Sequence, residues 1–190
     1  SSDLVVYERI AYVGSQNLVD PRYFKQSSGV CQWIDAMVRM VGPAAASLDG
    51  VFRMDLAVET GRAFEAPSLM PGRTAAPSGS MVQVVPSGPD IRPEAIHQIL
   101  LAAIYAARRE LVMTTPYFVP DDAILTALTT AALRGVEVTL IVPARNDSLL
   151  VRHASVAHFD DLLGAGVRIA LFDGGLLHTK SLCIDGELSL

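Results

Sequence analysis

Gly174-Gly-Leu-Leu-His178-Thr-Lys180-Ser-Leu-Cys-Ile-Asp185-Gly186 is the stretch that decides how the chain is read. It holds a histidine, a lysine two residues on and an aspartate five residues after that, the pattern H-x-K-x-x-x-x-D. Residues two apart on an extended strand share a face, so His178 and Lys180 are expected side by side on one strand. Leu182 and Ile184 continue that face into a core, with Thr179, Ser181 and Cys183 on the other. Asp185-Gly186 reads as a tight turn that ends the strand. Gly174-Gly175 allows close backbone approach just before the histidine. A histidine beside a fixed cation suits chemistry on a phosphate ester: the imidazole attacks phosphorus or protonates a leaving oxygen, and the lysine holds the phosphoryl oxygens. A bare three-residue pattern of this kind arises by chance in on the order of 1 % of chains this long, so its flanks carry much of the weight.

Working outward, the text on both sides has an α/β rhythm. Met81–Val85 reads as a strand. A helix opens at Pro93 and runs to about Arg109, with Ile96, Leu100, Ala103, Ile104 and Ala107 on one stripe. Leu111–Thr115 is a strand, and Pro120-Asp121-Asp122 caps a helix that ends at Arg134-Gly135. Val136–Val142 is a β-branched strand, Asn146-Asp147-Ser148 caps a third helix ending at Gly164–Gly166, and Val167–Phe172 is a strand leading into the motif. Strands alternating with helices indicate a mixed, largely parallel sheet flanked by helices. Further upstream the pattern is looser. Leu4–Val13 reads as a hairpin, Val30–Met40 as a strand with Ile34, Ala36, Val38 and Met40 on one side, and Pro43 to Glu59 as a helix. Residues 66–80, rich in Pro, Gly, Ser and Ala, read as a linker or mobile loop between residues 1–65 and 81–190.

Composition narrows the function. Half of the 190 residues are apolar and the net charge is −5. Lysine is confined to Lys25 and Lys180, which argues against a nucleic-acid partner, since such domains cluster basic residues on one face. No apolar run reaches the roughly 18 residues of a membrane span. Cys31 and Cys183 lack disulfide-framework or metal-ligand spacing and read as small core residues. His97, His153 and His158 fall on helical segments without a partner carboxylate and read as solvated or packed. Asp160-Asp161 reads as a solvated helix face, Trp33 as core or sheet cover, and Tyr117 and Phe118 as a packed loop. Both termini read as cuts in a longer protein.

The motif resembles that of the phospholipase D superfamily. The strings Gly14-Ser-Gln-Asn-Leu-Val-Asp-Pro-Arg-Tyr-Phe24, Val82-Gln-Val-Val-Pro-Ser-Gly-Pro-Asp90, Thr114-Thr-Pro-Tyr-Phe-Val-Pro-Asp121 and Gly174 through Asp185 look most like its bacterial cardiolipin synthase branch. The resemblance implies a phospholipase D-like fold of two related halves with their HKD motifs face to face, of which this chain holds the end of the first and most of the second. It implies transfer of a phosphatidyl group between two phosphatidylglycerol molecules through a phosphohistidine, without metal or cofactor, at the bacterial inner membrane. His178, Lys180 and Asp185 take the catalytic places, and Ser15 and Asn17 of Gly-Ser-x-Asn flank the phosphate. Aligning Lys180 to Leu190 with Asp3 to Tyr12 sets Ser1, Asp3 and Glu8 where an earlier HKD motif would stand. A hydrolytic phosphodiesterase and a catalytically inactive structural module are the alternative readings.

Overall fold

The computed structural model describes residues 2–6, 9–17, 20, 32–61, 63, 79–87, 93–146 and 155–190. The chain divides into two compact units that interleave along the sequence: residues 1–17 with 37–95, and residues 18–36 with 96–190.

The first unit rests on an antiparallel sheet. β1 (Ser2–Val6) pairs with β2 (Ile10–Gly14), matching Ser2 to Gly14 and Val6 to Ile10, which makes the expected hairpin. β4 (Met37–Val41) pairs with the other edge of β2, from Ile10↔Val41 to Gly14↔Met37. Helix α1 (Pro43–Thr60) starts on a proline, whose missing N–H would have had no helical partner anyway, and is followed by the left-handed Gly61. Ala45 and Leu48 of α1 pack on Ala11 and Met40 of the sheet, forming a small core to which Val84 adds. Asp49, buried on α1, is paired with Arg53 one turn later. Residues 81–85 are not a strand. Val84 meets the small core without a ladder partner.

The second unit holds the larger core. Its sheet runs β10-β9-β5-β6-β7. β5 (Glu110–Thr114), β6 (Glu137–Pro143) and β7 (Arg168–Phe172) are parallel, whereas β9 (Ser181–Ile184) and β10 (Leu188–Ser189) are antiparallel to their neighbours. Helix α2 (Ala95–Ala106) precedes β5, and α3 (Asp122–Leu133) returns the chain to β6. The Asp121 carboxylate caps α3 by accepting from Ile124 N at 2.8 Å, and Gly135 beyond its end adopts φ +89°. Arg134 donates to Tyr105 O and Ala107 O at 2.9 and 3.2 Å, covering carbonyls at the end of α2. Helix α4 (Phe159–Gly164) leads to β7. Ile104, Leu111, Leu128, Leu140, Leu162 and Leu182 are fully buried between these helices and the sheet.

Several expectations change. The helix expected from Pro93 to about Arg109 is shorter at both ends, and Ile96, placed on its apolar stripe, is exposed. The segment read as one strand over residues 30–40 breaks at Asp35-Ala36 into β3 (Trp33–Ile34) and β4, which join different sheets. Cys183 is exposed on β9, beside Ser189 of β10 at 3.4 Å, and is not a core residue. Ser1, Glu8, Cys31, His153, the Asp147-Ser148 cap and nearly all of residues 66–80 lie outside the described residues.

Candidate functional site

The short parallel pair β3–β8 builds the site. β8 (Leu176–Leu177) lies in register with β3, Trp33 against Leu176 and Ile34 against Leu177. Leu176 N donates to Gln32 O at 3.2 Å and His178 N to Ile34 O at 2.9 Å, so two successive bonds tie the backbone entering the histidine to residues 32–34. Gly175 makes this approach possible. Its φ is +137°, and a Cβ there would fall 2.3 Å from Gln32 O. Gly174 is less confined, since a Cβ there would meet only the ring of Phe172.

His178 is 8 % exposed, yet its surroundings are polar. Nδ1 lies 2.8 Å from Asp35 Oδ1. Lys180 Nζ lies 3.5 Å from Nε2 and donates to His178 O at 3.0 Å. The Trp33 ring covers the imidazole at 4.8 Å between centroids, tilted by 31°. A carboxylate at Nδ1 holds a proton on that nitrogen and steadies the imidazolium, leaving Nε2 to attack or to donate. Lys180 as a whole is exposed, but its ammonium end folds back over the imidazole. The resulting loss of water holds its pKa below the usual lysine value, while the Asp35 carboxylate acts in the opposite sense. A cation beside a nucleophilic or proton-donating nitrogen, with a carboxylate behind it, can hold a phosphoryl group during displacement.

His178 and Lys180 stand together as the motif implied, although not on one strand: residues 178–180 link β8 to β9. Leu182 and Ile184 enter the core as expected. Thr114, at the carboxyl end of β5, has its hydroxyl 2.7 Å from that of Ser181 and 3.4 Å from that of Thr179. The His178–Lys180 link therefore lies at the carboxyl edge of the sheet. Asp185 occupies the β9–β10 turn at φ +56°, some seven residues or roughly 20 Å of extended chain from His178. Its carboxylate accepts from the backbone N–H groups of Arg108, Arg109 and Glu110 at 3.1, 2.8 and 2.9 Å. These bonds, that from Glu110 first and that from Arg109 next, hold its pKa below the ordinary aspartate value. Asp185 thus ties the turn to the start of β5 while Asp35 serves the imidazole.

Ser15 and Asn17 follow β2 in the first unit, Ser15 half-buried and Asn17 exposed. Asp35 went unnoticed in the sequence because it sat inside an apparent alternating strand. Trp33, read as cover, covers the histidine itself. His97 has a carboxylate partner after all: its Nε2 lies 2.7 Å from Asp121 Oδ2, a pairing between α2 and the cap of α3 that helical spacing could not show. Phe118 is packed in the core and Tyr117 is exposed. No cluster of three potential metal ligands occurs among the described residues.

Residues 100–190 match the family model described as cardiolipin synthase, PLD-like domain. The chain is 56 % identical over 185 residues to cardiolipin synthase A of Serratia proteamaculans, covering 95 % of this chain and 38 % of that protein. The corresponding protein of Yersinia pestis is 54 % identical with the same coverage. The chain thus spans little more than a third of the length of these curated relatives. A solved phospholipase D family member from Salmonella typhimurium is 23 % identical, with a TM-score of 0.41 over 47 % of this chain and 57 % of that one.

Proposed function

We propose that the chain is part of a phospholipase D superfamily protein of the cardiolipin synthase kind, as the PLD-like match over residues 100–190 and the 56 % identity to a cardiolipin synthase A support, and that its parent protein transfers a phosphatidyl group between two phosphatidylglycerol molecules. The observation that supports this best is the imidazole of His178 held between Asp35 and Lys180. In the proposed first step an HKD histidine Nε2 bonds to the phosphorus of one phosphatidylglycerol. The bond to glycerol breaks, and glycerol leaves with a proton from a second acid. The hydroxyl of another phosphatidylglycerol then attacks the phosphohistidine, giving its proton to the conjugate base of that acid, the P–N bond breaks, and cardiolipin departs. His178 serves as nucleophile or as that second acid. Lys180 neutralises the phosphoryl oxygens, and Ser15 and Asn17 flank the phosphate. Asp185 acts through the turn it fixes. No metal enters this scheme.

In the same reading, residues 1–65 are the end of a first phospholipase D-like repeat and 81–190 most of a second, and the parent works at the inner membrane surface of a bacterium. Among the described residues no helix is long and apolar enough to cross a membrane. The residues aligned with an earlier HKD motif, Ser1, Asp3 and Glu8, favour a second reading for the 190-residue chain alone, namely that it is inactive, because a carboxylate at Asp3 repels a phosphodiester where lysine would hold it.

The test is product analysis with labelled phosphatidylglycerol in the parent protein and its His178→Ala variant. Cardiolipin with release of glycerol is expected, and turnover should vanish in the variant. Rapid denaturation during turnover should trap an acid-labile phosphate on one histidine peptide. Trapping on His178 makes it the nucleophile; trapping on a peptide outside residues 1–190 makes it the acid. Phosphatidic acid as the sole product would establish hydrolysis. An active His178→Ala protein without phosphohistidine would remove the mechanism.

A further inference from the structure

At the carboxyl edge of the parallel strands lies a hollow of about 120 Å³. Its walls include Val142, Pro143, Ala144, Val156, Phe159 and Leu171, and Pro116 closes the side nearest β5. Asn146 and Ser155 are its polar members, and the Asn146 amide is turned onto the Pro116 carbonyl at 2.8 Å. The wall is therefore carbon for the most part. Val156 and Leu171 at its rim are exposed, and Leu171 is 62 % exposed. The loop from Pro116 continues this apolar strip outward with exposed Tyr117 and Val119, anchored by buried Phe118.

The hollow lies at the same carboxyl edge of the sheet as the His178–Lys180 link. Thr114 touches Thr179, and Pro116 follows Thr114 by two residues. From β9 to β6 is two strand spacings, roughly 10 Å. That separation suits the glycerol backbone of a phospholipid whose phosphate sits at the imidazole. The volume holds on the order of four methylene-sized groups, at the ~30 Å³ of a water-sized one. We propose that this hollow binds the first methylenes of an acyl chain of the phospholipid whose phosphate lies at His178 and Lys180. The proposal rests on the phospholipid reading given above and adds a chain-recognition site to it. The Lys180 cation at one end and the apolar hollow at the other match the two ends of such a ligand.

Burying one methylene changes affinity by about fourfold. Binding of phosphatidylglycerols with acyl chains of four, six and eight carbons to the full-length parent, measured calorimetrically below their micellar concentrations, should tighten steeply with chain length and then level off. Ala144→Leu fills the hollow and should reduce the dependence on chain length to less than about threefold overall, while binding of the acyl-free headgroup glycerophosphoglycerol is unchanged. Leu171→Ser alters a rim residue that is largely exposed. It should weaken the six- and eight-carbon ligands severalfold and leave the headgroup alone. Equal chain-length dependence in the parent and both variants overturns the proposal, as does an affinity in the parent that ignores chain length. Hydrolysis in place of transfer, with the chain-length dependence removed by either variant, would defeat the transferase reading and support the acyl site.

Discussion

Asp35 is a positioning residue: it touches the imidazole of His178 at 2.8 Å and acts through it. Asparagine at this place turns an N–H donor toward Nδ1 and favours the wrong tautomer. In the parent, Asp35→Asn is expected to lower kcat by roughly 10²–10⁴-fold with little change in KM, and to reduce phosphohistidine formation in step. Asp35→Glu should recover part of the loss. Steady-state kinetics with rapid-quench trapping measures both, and a loss confined to KM would contradict the assignment. His178 and Lys180 were legible in the sequence because they stand two residues apart in a short motif, although strand parity does not apply to the link that carries them. Asp35 was not, because it stands 143 residues from its partner and alternates with Ile34, Ala36 and Val38 as if inside one strand. Asp185 was legible as a turn. Its partners are main-chain N–H groups, which leave no signature of residue type.

Two connections between elements govern the site. The first is the β3–β8 pair, which depends on Gly175. Gly175→Ala places a methyl 2.3 Å from Gln32 O at a φ of +137°. It is expected to cost on the order of 1–3 kcal/mol of stability and to depress turnover by displacing His178. Gly174→Ala should be much milder, since the Phe172 ring can turn aside. Denaturant melts and turnover of the two variants make the comparison. The second is the Asp185 turn. Because the folded-state pKa of Asp185 is lowered, its contribution is complete above the unfolded value near 4 and is lost as pH falls through the folded value. Asp185→Asn, which tolerates the left-handed backbone, should melt below the parent at pH 7, and the gap should close as pH drops from about 4 toward 2. A gap independent of pH would assign the effect to backbone conformation instead. The helices and the parallel strands β5 to β7 were readable because caps, glycine stops and β-branched runs are local signals. The break between β3 and β4 was not, because it is made by which sheet each half joins.

At the scale of the whole molecule, the chain carries one intact HKD motif and spans 38 % of the length of its relatives. The 190-residue chain alone is expected to form no measurable cardiolipin from phosphatidylglycerol at concentrations where the full-length parent is active, since the second displacement lacks its acid–base partner. Equal specific activity of the two would show the second motif to be dispensable. The 143-residue gap between Asp35 and His178 has a consequence in time as well as space. Closing so long a loop costs about 4 kcal/mol of chain entropy, and no local contact offsets it in advance. During synthesis the carboxylate leaves the ribosome on the order of ten seconds before the imidazole. The imidazole therefore finds its carboxylate only after the 143 residues between them have been made, and a chain released before residue 178 holds the carboxylate without the ring it faces.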